Sequence, residues 1–400
     1  MDKDFQIDVS HFPKELTLLL SLMSTKNGEG LPSNNSEYVK DMDWSLFLKL
    51  ARHHRIYPVL YRKLQEIDES WIPQNIIQSL HHDYQKNTFQ MLKFSAEMEH
   101  LCTLFSKSNI RSLVLKGPVL GSDLYGDISL RTSGDLDILI PIQDLDVVEE
   151  LLIKLGYVKD EYIQAILNDW KWRHHHITFF HLKKGIKIEV HWRLNPGPGK
   201  EPGFNELWER RRISKITSNP VSYLGREDLF LFLVSHGARH GWSRLRWLAD
   251  IDQISKQNLN ISSLRHLLKK YQLLHIGAQA LILTSQLFQT PLTEEMKSIA
   301  VKMRPMRLAK DAIFYIHQMV NLHNEPIPED VAIYHKRHLF SLMSHQQKML
   351  FIMSFLYPYP EDAATLTLPK RFHFLYFPLR PILWVWRKMK KQVLKKENIL

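Results

Sequence analysis

Two aspartates two residues apart open the most informative stretch of the chain, Asp135-Leu-Asp-Ile-Leu-Ile-Pro141. Read as a strand, this run projects Asp135 and Asp137 from one face, while Leu136, Ile138 and Ile140 supply a core from the other. Acids side by side on one sheet face repel each other and lose solvation unless cations lie between them. A divalent metal is the usual remedy, and oxygen donors favour Mg²⁺ or Mn²⁺ over zinc. A third carboxylate, Glu189, falls in a second strand-like run, Ile186 to Trp192, flanked by Ile188 and Val190. Its neighbours on that face are Lys187, His191 and Arg193, so the face is not a simple core. Three carboxylates on adjacent strands make a site for two cations, typically about 3.5–4 Å apart. One would activate an attacking oxygen and the other would hold a triphosphate and its pyrophosphate leaving group. Chemistry of the phosphoryl-transfer type needs little beyond such positioning and charge neutralisation.

Phosphates also need donors. Lys116-Gly117 closes a strand-like run, Arg111 to Lys116, and opens a helix, which turns backbone N–H groups toward an anion. Arg131 and Ser133 precede the acid pair at the same alternating spacing, as a bidentate cation and a hydroxyl donor for the β- and γ-phosphates. His191 shares the face of Glu189 and is placed to meet phosphate or acceptor. His236 and His240 stand four apart on one helical pattern, a metal-competent spacing without the glutamate of a zinc-protease motif. Contact with a base or an acceptor, or packing on the sheet, is the better reading for them. Arg244, Arg246 and Asp250 line the same cleft or form an interhelical salt-bridge cluster. His174, His175 and His176 are consecutive, so they cannot all face one metal from a strand, and a surface role on the hairpin is expected.

The elements that position these residues follow from periodicity. Residues 1–108 are helical in pattern, with Pro58 dividing two short helices and one long helix running from Ile76 to Ser108 and stopping at Asn109. Residues 109–200 carry the two strand-like runs and a helix from Asp144 to Leu155 ended by Gly156. A further helix is expected from Ile163 to Trp172. A hairpin then joins Ile177–Leu182 to Ile186–Trp192 through Lys183-Lys184-Gly185. This order predicts a small mixed sheet with helices on one side. Residues 201–356 read as helical from Glu206 onward, after the Pro/Gly linker Asn195 to Gly203, and residues 357–400 form a basic, aromatic C-terminal segment. The fold class is α+β: a small mixed sheet flanked by N-terminal helices and a C-terminal helical domain.

Composition narrows the setting. A hydrophobic fraction of 44% and a charged fraction of 24% over 400 residues are ordinary for a globular protein and argue against disorder. A single cysteine, Cys102, rules out intrachain disulfides and suits a reducing compartment. The N-terminus lacks a secretory apolar region, and no apolar run reaches the 18 or so residues that span a bilayer, so the cytoplasm is expected. Nine of the lysines and arginines behind the net charge of +11 fall between residues 370 and 396, with no acid among them. A terminal helix packed on the core with a solvated basic end is the leading reading of that tail. Peripheral contact with an anionic membrane and binding of a nucleic-acid backbone are the alternatives.

The pattern LKGPVLGSDLYGD, LRTSGDLDILI, IEVHWRL and, further on, HGARHGWSRLRWLADI resembles the uncharacterised bacterial nucleotidyltransferases of the polymerase-β-like superfamily. The first part is also similar to the KGG and RxSxDxD pattern of toxin-type nucleotidyltransferases. The resemblance implies a transferase that moves a nucleoside monophosphate from a nucleoside triphosphate such as ATP to an acceptor. It implies metal ligation by Asp135, Asp137 and Glu189, with two Mg²⁺ or Mn²⁺ ions, and phosphate contacts at Lys116 and Gly117. Pro118 stands where the superfamily has Gly or Ser and removes one backbone donor. A tRNA-modifying toxin and a non-catalytic nucleotide-binding scaffold are the alternative readings of the whole chain.

Overall fold

The computed structural model describes residues 6–24, 41–66, 71–160, 169–300, 303–322 and 326–397. Apolar residues spaced by three and four (Met91, Phe94, Met98, Leu101, Phe105) form the buried stripe of a 34-residue helix, Gln74–Lys107. It ends where Asn109 takes a φ of 58°, a left-handed turn that asparagine tolerates better than most residues. Ahead of it, Trp44–His53 and Tyr57–Leu64 are separate helices. Pro58 lies in the first turn of the second, where an absent N–H leaves no bond unmade.

The strands are β1 (Leu113–Val114), β2 (Leu136–Leu139), β3 (Val158–Lys159), β4 (His176–His181), β5 (Ile186–His191), β6 (Arg212–Ser214) and β7 (Val221–Tyr223). They form one mixed sheet in the order β3-β4-β5-β2-β1-β7-β6. β2 runs parallel to β5, and β1 parallel to β7; the other pairs are antiparallel. The β4–β5 hairpin closes through Gly185 at a φ of 56°, a conformation glycine adopts at no steric cost.

Two differences from the sequence pattern matter. The β6–β7 hairpin extends the sheet inside a stretch that reads as helical, because strands of three residues are too short to show an alternating period. Helices also cover both faces rather than one. Leu136, Ile138, Ile188 and Val190 pack with the long helix and with the helix Leu145–Lys154. Leu113, Leu115 and Leu139 belong instead to the core shared with the helices Arg226–Arg239 and Leu245–Ser255. Of the expected helix from Ile163 to Trp172, residues 161–168 lie outside the described residues and Trp170–Arg173 is helical.

Beyond Tyr223 no strand occurs among the described residues, and helices continue to the last one, Tyr376–Glu397. This last helix packs apart from the main core, contrary to the leading reading of the tail. Tyr376 and Leu383 form a small cluster of their own with Ala363, Leu368 and Leu379. Arg380 and Arg387 tie the helix to Asp362 at 2.6 and 2.7 Å. Ile382, Val385, Trp386 and Met389 remain exposed and recur at helical spacing along one stripe. No described helix is long and apolar enough to cross a membrane.

One buried ion pair joins the loop before β2 to the helical region. The Arg131 guanidinium donates to both carboxylate oxygens of Asp250 at 2.9–3.2 Å, and Tyr125 Oη donates to Asp250 at 2.9 Å. Both charged side chains are almost fully enclosed. Removing one partner strands the other charge in the interior, so Asp250→Ala is expected to cost about 3–5 kcal/mol in chemical denaturation. The double variant Arg131→Met/Asp250→Leu should recover most of that loss.

Candidate active site

The parallel register of β2 and β5 sets Asp137 beside Glu189. Asp135 lies just ahead of β2, and the N–H of Leu115 donates to the Asp137 carbonyl at 2.9 Å, which brings Lys116 alongside. Lys116 Nζ lies 3.0 Å from Asp137 Oδ1. His191 Nε2 lies 3.1 Å from the same oxygen and 3.5 Å from Glu189 Oε2. Lys187 Nζ donates to Glu189 Oε1 at 2.6 Å and reaches Asp135 Oδ2 at 3.5 Å.

This crowding divides the acids. Burial, followed by the charge of Asp137, pushes the Asp135 carboxyl above its usual range. Burial would raise Asp137 too, but the Lys116 ammonium and the His191 hydrogen bond outweigh it and hold the carboxyl low. At Glu189 burial is likewise outweighed, by the His191 hydrogen bond and by nearby imidazoles, and its carboxyl lies far below the usual range. Burial and then His191 depress His176 to about 4, so its imidazole is neutral near pH 7.

The acids open into a cavity of about 510 Å³. Arg55, Lys116, Lys187, Arg239, Arg244 and Arg246 bring cations to its wall, and Phe232, His236, His240 and Trp247 bring rings. His240 stacks on Trp247 with centroids 5.2 Å apart. Arg246 donates to the carbonyl and hydroxyl of Thr132, which anchors the first turn of the helix Leu245–Ser255 to the loop before β2.

The donor set fits a divalent cation. Ligand atoms of Asp137, Glu189 and His191 all lie within 4.8 Å of one another. Asp137 Oδ2 is buried and accepts no hydrogen bond among the described residues, the kind of orphaned acceptor that an ion or an ordered water completes.

Of the residues singled out from sequence, Lys116, Asp135, Asp137, Glu189, His191, His236, His240, Arg244 and Arg246 meet at this cavity. Gly117, Arg131, Ser133 and Asp250 do not line it. Gly117, at a φ of 83°, precedes the helix Pro118–Tyr125. Arg131 is committed to Asp250, and the Ser133 hydroxyl donates to the Asp135 carbonyl at 2.9 Å. His175 and His176 line the cavity instead of the outer surface that their consecutive spacing suggests. The hairpin register explains His176: pairing outward from the turn sets it opposite His191. That count is available in the sequence. Arg55 and Arg239 carry no comparable signal.

A mixed sheet with adjacent carboxylates beneath a cation-lined cavity is an architecture suited to transfer chemistry on phosphates. A family model described as uncharacterised nucleotidyltransferase matches residues 40–289, and the chain belongs to that family. No curated protein matches the chain.

The cavity wall separates two kinds of residue. Lys116→Met is expected to weaken nucleoside triphosphate binding about tenfold, the worth of one charge-assisted hydrogen bond. Ser133→Ala, outside the wall, should leave it unchanged; equilibrium dialysis with each of the common triphosphates reads both.

Proposed function

We propose that the chain transfers a nucleoside monophosphate from a nucleoside triphosphate, ATP in the first instance, to a hydroxyl or phosphate acceptor. The acceptor oxygen, which if a hydroxyl gives up its proton to solvent, bonds to the α-phosphorus while the bond to the bridging oxygen breaks and pyrophosphate leaves. The observation that carries this reading is the register of Asp137 against Glu189 in the wall of a cation-lined cavity.

Asp135, Asp137 and Glu189 would hold divalent cations. When bound, these ions supply charge neutralisation at the α-phosphate, the acceptor oxygen and the leaving group. Lys187 orients Glu189 and Asp135 through the contacts described above, and Lys116, beside Asp137, donates to the triphosphate. Arg55, Arg244 and Arg246 balance the charge of the triphosphate, and the Trp247–His240 stack offers a flat surface to a base. A second pocket of about 340 Å³ shares Pro196 and Arg239 with the first. Its wall includes Leu273, Ile276, Leu342 and Phe351, which suits an acceptor with an apolar body.

The tail adds a partner. Its exposed stripe of Ile382, Val385, Trp386 and Met389, beside Arg387 and Lys388, favours an anionic membrane surface over nucleic acid, since aliphatic side chains gain little from a phosphate backbone. Co-sedimentation with vesicles of anionic lipid, lost in Ile382→Ser/Trp386→Ser and absent with zwitterionic vesicles, is the expected result.

Incubation with α-³²P nucleoside triphosphates, Mg²⁺ or Mn²⁺ and a cell lysate should label a defined product and release pyrophosphate. Asp137→Asn should lower the rate about a thousandfold, the scale seen when charge stabilisation is removed from a reacting centre. Equal labelling by the variant would end this reading.

A further inference from the structure

We propose that the acceptor is a phosphate monoester on an apolar body, seated in the second pocket with its phosphate at Arg239. This rests on the transfer reading and narrows its acceptor to one chemical class.

Arg239 is the last residue of the helix Arg226–Arg239 and belongs to the walls of both cavities. Its Nη2 meets His236 Nδ1 at 3.4 Å, while Nη1 is buried and has no hydrogen-bond partner among the described residues. Burial lowers its pKa to about 10, still far above neutrality, so the guanidinium keeps its charge there. A buried charged donor is costly to leave unpaired, and an anionic group on a ligand would complete it.

The rest of the second pocket sets the charge and shape of that ligand. Leu273, Ile276, Leu339, Leu342 and Phe351 form its apolar part. The Pro/Gly segment 195–201 forms another part and is held in place by its own hydrogen bonds. Arg193 donates to the carbonyls of Gly197 and Gly199 at 2.7 and 3.0 Å. Glu201 accepts from the N–H groups of Leu194 and Asn195 at 3.1 and 2.9 Å and pairs with Arg193 at 3.1 Å. Glu201 is the one acid in this wall among the described residues, and those bonds occupy it. Arg173, also in the wall, is paired with Asp169 at 2.6 Å. Lys200 and Arg239 remain as the excess charge of the pocket. Two cations match a phosphate monoester, which carries a charge of about −1.5 to −2 near pH 7, better than a singly charged carboxylate.

The step balances without a base. An oxygen of the acceptor's phosphate dianion bonds to the α-phosphorus, and the bond from that phosphorus to the bridging oxygen breaks. Pyrophosphate leaves with the electron pair. The product is a phosphoanhydride that joins the nucleoside monophosphate to the acceptor's phosphate.

The test is calorimetric titration of the full chain, with Mg²⁺ and α,β-methylene-ATP already present, by octyl phosphate, octanol, octanoate and inorganic phosphate. Octyl phosphate is expected to bind about tenfold more tightly than each of the others, since only it offers both charge and chain. Any of the other three binding as tightly overturns the proposal. Arg239→Met should weaken octyl phosphate about tenfold and leave α,β-methylene-ATP unchanged. Loss of both assigns Arg239 to the triphosphate and also overturns it. In the α-³²P labelling of a lysate, phosphatase treatment beforehand, with the phosphatase then removed, should abolish the product. Undiminished labelling means a hydroxyl acceptor, which overturns the phosphate acceptor and leaves the transfer reading standing. No labelled product from the untreated lysate ends the transfer reading instead, and with it the role of this pocket as an acceptor site. The wild-type titration decides the ligand class even if a variant folds poorly.

Discussion

Three carboxylates crowd together at the central strands of a sheet, and much of the surrounding structure answers the charge they concentrate there. Asp137 is fully enclosed and stands in register with Glu189 across a parallel strand pair, while Asp135 lies two residues away. Uncompensated, such a group would be expelled or protonated. Compensation arrives from separate parts of the chain: Lys116 from just past β1, Lys187 and His191 from β5, and arginines from the helical region. The cluster is thus a product of sheet register and helix docking together.

The loop that delivers the acid pair is held from two sides. On one, Asn87 of the long helix donates to the Ser129 carbonyl at 2.6 Å, and Tyr84 meets the Ser129 hydroxyl at 2.8 Å. On the other, Arg131 and Thr132 are bound to Asp250 and Arg246 of the helix Leu245–Ser255. A buried ion pair is weak evidence for net stability, but it is demanding about geometry. Here its geometry determines how the helical region sits over the carboxylates, and so where Arg246 and Trp247 meet the cavity.

Local periodicity makes several elements legible from sequence. The long helix, the division at Pro58 and the β4–β5 hairpin each repeat a pattern within a short window, and side-chain alternation in β2 directs Asp137 away from Leu136 and Ile138. The β6–β7 hairpin is too short to show such a pattern. Consecutive histidines suggest a surface strand for His175 and His176, although counting from the turn pairs His176 with His191.

What the sequence determined by itself was the identity of the acids and the strands that carry them, since both depend on neighbours a few residues apart. The tertiary structure alone decided which cations face those acids. Arg131 stands in a phosphate-binding position by spacing, yet it turns to Asp250, 119 residues away. Arg55 and Arg239 reach the cavity from parts of the chain far apart in sequence. Pairings across such distances depend on how preformed elements pack, and no local period encodes them.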